Sequence, residues 1–564
     1  MGPQHLLGPA ALGARPGRRL TPAAPKRSRG KVPVKAHDKW LAVPLAVGLA
    51  AAALGGCDTE GAAGAGGSGT IVVGMSDRVA ATDPAAGYDP GSWLLFNNVF
   101  QSLLSFPKGA TTPQPEAAER CGFDKGDSAV YQCTLREGLK FSNGNPLTSE
   151  DVRFSFERAL KIDDENGPAP LLSTIGRIET PDDRTVVFVL KVPDATFPSK
   201  IASAAGSIVD HREYRADSLR TDGKAVGSGP YRLDSFDEGR AVFSVNPGYR
   251  GSAKIKNGGV TLRFYDGDRK ALAEGLAKGD VDVAYRGLAA EDIRKYDGST
   301  TAGREDVQDI EVVEGSSAEV QYLVFNMKDP VAGRLGVRRA IAHLVDRQAL
   351  VRDVYHSTAT PLYSIVPAGI LGHNTAFFDR YGDRPQIGLA RKALRAEGIE
   401  GKVEITLHST PSRYGPGTDE QIKAIAGQLN RSGLFEARVK SVEYGRYEKD
   451  VQAGRYGVYV KGWIPDYPDP DNFTQPFFGE DNVLGNHYEN AEITGRIIPD
   501  TAATADRSAA RDDFDRLQNL VAEDVPLLPL WQAKQYAVAR GAISGLEWTL
   551  DASTVFRFWE IRKD

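Results

Sequence analysis

Leu135 to Leu160 reads LREGLKFSNGNPLTSEDVRFSFERAL, and its second half carries a complete helix signal. Thr148 stands as an N-cap with Asp151 three residues on, the spacing of a capping box, and Val152, Phe156, Ala159 and Leu160 then mark one helical face. A little further on, GRIETPDDRTVVFVL (176–190) alternates in the manner of two strands, with Pro181 expected at the second position of the turn between them. Just upstream, Cys121 and Cys133 flank GFDKGDSAVYQ, a segment able to fold back as a hairpin around Lys125, Gly126 and Asp127. In an oxidising compartment the two thiols form a disulfide; buried free thiols are the alternative.

The same alternation of strand and helix signals continues through the chain and predicts a mixed α/β fold. Helices are expected at Leu335–Tyr355, Gly388–Glu397, Asp419–Leu434 and Ser508–Glu523. Strands are expected at AVFSV (241–245), VTLRFY (260–265), VEITL (403–407) and YGVYVKGW (456–463). With 564 residues, 41% hydrophobic and 25% charged, the composition is that of a globular protein too long for a single core.

The first 56 residues differ from the rest. Nine Lys and Arg against Asp38 alone give this segment a charge of +8, which leaves −13 for residues 57 to 564. An acidic body lacks the basic face that would neutralise phosphates, which argues against a nucleic-acid partner. WLAVPLAVGLAAAAL (40–54) is fifteen mostly apolar residues behind a basic flank, short for a bilayer span and suited to the core of an export signal. Leu54-Gly55-Gly56-Cys57 resembles a bacterial lipobox, so residues 1–56 are expected to be removed and Cys57 to carry the lipid that tethers the mature chain to the outer face of the cell membrane. DTEGAAGAGGSG, to Gly69, then reads as a flexible spacer. Gly64, Gly66 and Gly69 match G-x-G-x-x-G, but this match precedes a strand instead of following one and carries no dinucleotide site.

Several further stretches, in chain order, carry a resemblance. After Leu135–Leu160 come GSGPYRLDSFDEG (227–239), LAKGDVDVAY (276–285), YLVFNMKDP (322–330), VRRAIAHLVDRQAL (337–350), GWIPDYPDPDNF (462–473) and LQNLVAEDVPLLPLW (517–531). Together, from Thr70 to the end, they resemble the extracytoplasmic solute-binding proteins of ABC transporters, in the oligopeptide/dipeptide-binding family (family 5).

The resemblance implies a periplasmic-binding-protein-like α/β fold of class II, with two lobes joined by crossing strands and an extra domain on the first lobe. Residues 70–103, 222–310 and 531–564 would form the first lobe, 104–221 the extra domain and 311–530 the second lobe, closing on a solute like a hinge. It also implies a monomer that hands a peptide-like solute to ABC permease subunits, with no catalysis, cofactor or metal. An oligosaccharide binder, a nickel-chelate binder, a surface hydrolase and a sensing protein are the alternatives.

Within GWIPDYPDPDNF three acids stand among three prolines. A calcium loop would need a glycine at its sharp turn and a bidentate Glu, which this stretch lacks. No partner motif supports paired-carboxylate catalysis, and G-x-S-x-G, P-loop and H-E-x-x-H signatures are absent from the sequence. Asp469 and Asp471 read as turn formers beside proline. Asp466 matches the carboxylate of the family's W-x-x-D stretch that receives the ligand ammonium, with Trp463 and Tyr467 as pocket walls. The same resemblance places Arg413, in STPSRYGPG, where relatives pair the ligand carboxylate, and brings Tyr88 and Asn97, with Trp93, into the segment that approaches the ligand. Asp151, Gly227, Gly229 and Pro230 instead have structural reasons of their own.

Overall fold

The computed structural model describes residues 69–124, 127–297, 309–411, 413–415, 417–480 and 482–564. The export signal, the lipobox with Cys57 and most of the spacer lie outside the described residues, as do Lys125 and Gly126 of the expected hairpin turn. The strands that matter are, in chain order, β1 (Ile71–Met75), the short pair β2 (Leu104–Ser105) and β3 (Gln114–Pro115), β4 (Ala118–Asp124), β5 (Asp127–Leu135), β6 (Ile175–Asp182), β7 (Thr185–Leu190), β8 (Tyr231–Asp237), β9 (Arg240–Val245), β10 (Gly259–Phe264), β11 (Val283–Tyr285), β12 (Ile310–Phe325), β13 (Ala359–Pro361), β14 (Val403–Ser409), β15 (Phe435–Ser441), β16 (Val458–Trp463) and β17 (Leu527–Arg540). Helix α1 spans Pro90–Val99 and α2 spans Ser149–Ile162.

The opening stretch folds as its local chemistry dictates. Thr148 N donates to Asp151 Oδ2 at 2.8 Å, which satisfies an amide at the start of α2. The apolar face of α2 packs on a four-stranded sheet of order β4-β5-β7-β6. Its core is aromatic: the rings of Phe156 and Phe188 lie 5.2 Å apart edge to face, and Phe188 and Phe197 lie 5.0 Å apart. Cys121 and Cys133 face each other across β4 and β5, and their sulfurs are bonded.

Pro181 is not in the turn of the next hairpin but near the end of β6. The turn is made by Asp182, whose Oδ1 accepts from the amides of both Arg184 and Thr185 at 2.9 Å. The register shift between Glu179 and Asp182 leaves Pro181 outside the ladder, where its missing amide is harmless. Similarly, the single helix expected at Leu335–Tyr355 is two, Leu335–Leu344 and Arg347–Asp353. Asp346 breaks it by capping the second, its side chain accepting from Ala349 N at 2.9 Å.

The large sheet runs β15-β14-β16-β12-β17-β11-β1-β10-β9-β8, with β13 on the side against β17. Two large apolar cores sit on it, beside a smaller one around Leu276, Ala284 and Val538. One is built on residues between Ala318 and Trp531, the other on residues from Ile71–Phe100, Ala204–Tyr285 and Ala537–Ile561. The antiparallel ladder of β12 and β17 reaches into both, because these two strands have 16 and 14 residues. Ile310–Ser316 pair with Lys534–Arg540 on the β11 side, and Val320–Val324 pair with Leu527–Gln532 on the β16 side. Between the two registers the ladder is broken at residues 317–319.

The break leaves backbone groups without ladder partners, and glutamine side chains replace them. Gln532 Nε2 donates to Ser317 O at 2.6 Å, Gln535 Nε2 donates to Ser316 O at 2.9 Å, and Glu319 N donates to Ser317 Oγ at 3.0 Å. Gly227 and Gly229 are needed for a close approach: a Cβ on Gly227 would fall 2.2 Å from Val99 O, and one on Gly229 would fall 2.6 Å from Val99 C.

Candidate functional site

Where β12 and β17 pass between the two cores, a partly open cleft of about 700 Å3 lies. One wall comes from the Ile71–Phe100 side. Asp89 caps α1 by accepting from Ser92 N at 2.9 Å, and Pro90 stands at the first helical position, where it lacks only an amide that would be unsatisfied anyway. This fixes Tyr88 and Trp93 at the mouth of the helix, their rings 5.5 Å apart edge to face, with Trp93 Nε1 donating to Gly87 O at 3.1 Å.

The opposite wall is the end of β16 and the loop that follows. Trp463, Pro465 and Asp466 all line the cavity. Asn472 holds this loop: its Oδ1 accepts from Trp463 Nε1 at 2.8 Å and from Asp466 N at 3.2 Å, while its Nδ2 donates to Asp466 Oδ2 at 3.1 Å. The Tyr88 hydroxyl donates to Asp466 Oδ1, so one carboxylate links the two walls.

Burial pushes the Asp466 carboxyl above the usual carboxylate range, and the hydrogen bonds from Tyr88 and Asn472, with the charge of Lys200, oppose that rise only partly. Burial and the neighbouring Asp466 charge raise the Tyr88 hydroxyl, which therefore stays protonated as a donor. Arg413 also lines the cavity, its guanidinium over the Tyr444 ring at 5.3 Å and without a carboxylate partner among the described residues.

Two expected site residues lie elsewhere. Tyr467 does not wall the cavity; it is 3% exposed and packs into the core of the four-stranded sheet with α2, because the loop turns over between Asp466 and Tyr467. Asn97 is one helical turn beyond Trp93, about 6 Å along the axis, and lines a separate small pocket beside Phe100 and Gln101. Asp469 is indeed a turn former: Oδ1 accepts from Asp471 N at 2.9 Å, and the carboxylate is gripped by Arg507 at 2.7 Å. Sequence reasoning gives Asn472 and Glu319 no role: the turn of the loop brings Asn472 to Trp463 and Asp466, and the pairing of β12 with β17 brings Glu319 to the cleft.

Asp471 is a buried acid whose carboxylate, among the described residues, has only a long hydrogen bond, from Tyr467 OH at 3.5 Å. Burial, then the Asp469 charge, push its carboxyl up to about 6 from an ordinary 3.8. A folded-state value above the unfolded one favours the protonated form, so this group's contribution is fully present below about pH 4 and is lost as pH rises through 6. Asp471→Asn should therefore stabilise the protein at pH 7.5 by an amount on the order of 3 kcal/mol, and not at pH 4. Urea unfolding of both proteins at the two pH values checks this.

Residues 112–485 match the family model for bacterial extracellular solute-binding proteins, family 5 Middle. The chain is 27% identical to the "Probable D,D-dipeptide-binding periplasmic protein DdpA" of Escherichia coli, over 83% of this chain and 89% of that one. It is 25% identical to di/tripeptide-binding protein 1 of Pseudomonas aeruginosa, over 81% and 89%. Its fold superposes on the periplasmic binding protein DppA of Helicobacter pylori, solved with the peptide STSA, with a TM-score of 0.71, 21% identity and coverage of 88% of this chain and 98% of that one. With a mixed α/β fold and two thirds of its length under one family model, the chain belongs to the bacterial extracellular solute-binding proteins of family 5.

Proposed function

We propose that the chain is the solute-capturing component of an ABC importer, that it takes up short peptides, and that a lipid on Cys57 tethers it outside the cell membrane. The observation that carries the peptide reading is Asp466: a half-buried carboxylate oriented by Tyr88 and Asn472 on the wall of the cleft. A free α-amine would bring Asp466 the positive charge that burial denies it, and such a charge-assisted contact gains strength as water leaves. Arg413, on the same cavity, offers a planar fork to the ligand's carboxylate. Names such as di/tripeptide-binding protein among the relatives agree with this reading.

Capture would proceed by closure. The first lobe is taken as residues 70–103, 222–310 and 531–564, the extra domain as 104–221 and the second lobe as 311–530. The interrupted part of the β12–β17 ladder at 317–319 is the natural place for bending, because few ladder bonds have to change there. The bond from Tyr88 to Asp466 would then be a closed-state contact. Solute release to the permease would require that contact to open.

The test is calorimetry with di- and tripeptides against their N-acetylated forms. Binding that disappears on acetylation is expected; equal binding of both forms overturns the Asp466 reading. A micromolar peptide corresponds to about 8 kcal/mol, within reach of one ion pair and a few backbone hydrogen bonds.

A further inference from the structure

The charges around the cavity do not balance for an ordinary zwitterionic peptide. Asp77 is paired with Arg286 at 2.6 Å, and Glu448 is paired with Lys461 at 2.9 Å. Asp89 is used as the cap of α1. Of the charged groups lining the cavity, Asp466, Arg413 and Glu319 then remain. The two termini of a peptide would answer Asp466 and Arg413. Glu319 would be left over.

Glu319 is placed with care for a residue that has no internal partner. It sits at the break in the β12–β17 ladder, where its amide is fixed to Ser317 Oγ at 3.0 Å and its side chain lines the cavity. Its carboxylate forms no ion pair and no side-chain hydrogen bond among the described residues. Arg286 is near enough to act on it electrostatically but is already engaged by Asp77, whose charge repels Glu319. Burial pushes the Glu319 carboxyl up, and the Arg286 charge offsets that rise only in part. A carboxylate kept in that state has no structural benefit, since truncating it would remove an unfavourable burial.

We propose that Glu319 receives a second cation, the side-chain ammonium or guanidinium of a basic residue in the captured peptide, and so makes the protein selective for cationic peptides. This rests on the peptide reading above. The selection has two parts: a basic side chain gains a charge-assisted bond, and a neutral or acidic one covers the half-buried Glu319 carboxylate without pairing it.

Calorimetry at pH 7.5 with Ala-Lys and Lys-Ala, against the same peptides with norleucine for lysine, tests the proposal, because norleucine keeps the stem and lacks the charge. At least one lysine peptide should bind wild-type protein roughly 10- to 100-fold more tightly than its norleucine counterpart. In Glu319→Gln that preference should disappear while the norleucine peptides bind at least as well as before, which also shows the variant to be folded. Glu319→Asp should retain part of the preference. Equal binding of lysine and norleucine peptides by wild type, or a preference that survives in Glu319→Gln, overturns the proposal. If binding is lost on N-acetylation yet indifferent to lysine, the Asp466 reading stands and the Glu319 assignment falls. If none of the peptides binds, both fall.

Discussion

Asp466→Asn should lower the affinity for an amine-bearing peptide by about 2 to 5 kcal/mol, a loss of roughly 30-fold to a few thousand-fold in Kd, while leaving the protein folded. The folding half of this expectation comes from the partners of the carboxylate. Asn472 Nδ2 needs an acceptor, which the Asn carbonyl oxygen supplies, and the Tyr88 hydroxyl can rotate from donor to acceptor to meet the new amide nitrogen. Neither partner is orphaned. The binding half comes from charge: a ligand ammonium that leaves water for this wall finds a dipole where a full negative charge stood. The unliganded variant should be no less stable than wild type at neutral pH, since the Asp466 carboxyl is raised by burial and its ionised form is a burden to the empty protein. The sign for binding is opposite. Peptide affinity of wild type should fall as pH drops through the raised Asp466 value, and that dependence should be missing from Asp466→Asn. Calorimetry across pH with one peptide, alongside thermal unfolding of the free proteins, checks both halves.

What could be read before the fold was known divides along the range of the interactions. The capping box of α2 involves residues three apart, and Thr148 and Asp151 announce it without any tertiary information. Asp346 and Asp182 carry equally local signals, yet hydrophobic periodicity runs unbroken through the first and a proline with its own turn preference stands beside the second. In both places a short polar side chain bonding to nearby amides decided the geometry. The site divides in the same way. The W-x-x-D stretch singles out Asp466, and both it and Trp463, at the end of β16, line the cleft. Whether Tyr467 faces the cavity or the neighbouring aromatic core depends on how the loop turns, and two adjacent aromatic-rich surfaces compete for it. Glu319 lies in a strand pattern like any exposed acid; only the pairing of β12 with β17 shows that it stands at the break, facing the cavity.

Arg158→Met should destabilise the protein by about 3 to 5 kcal/mol, the range for breaking a buried ion pair from one side. Arg158 is 3% exposed on α2, and Asp83, 1% exposed, lies in the segment after β1. The contact is a two-pronged fork, Nη1 to Oδ1 at 2.8 Å and Nη2 to Oδ2 at 2.6 Å. Two further donors are used as well, Nε on Arg215 O at 2.6 Å and Nη2 on Ser218 O at 2.8 Å. Asp83 in turn accepts from Ala85 N at 3.0 Å and Arg220 N at 2.7 Å. One guanidinium thus ties the four-stranded sheet and its helix to the core that carries β1. Removing it strands the Asp83 carboxylate and two carbonyls at once. Asp83→Leu alone should be comparably costly, because it leaves the guanidinium charge buried. The double variant Arg158→Met/Asp83→Leu should recover part of the loss, since no uncompensated charge remains, and the two effects should therefore be far from additive. Chemical unfolding of the four proteins, followed by circular dichroism, gives the cycle. Additive losses would mean that the two side chains act independently, against the geometry of the fork. Peptide affinity should be nearly unchanged throughout, because neither residue lines the cavity.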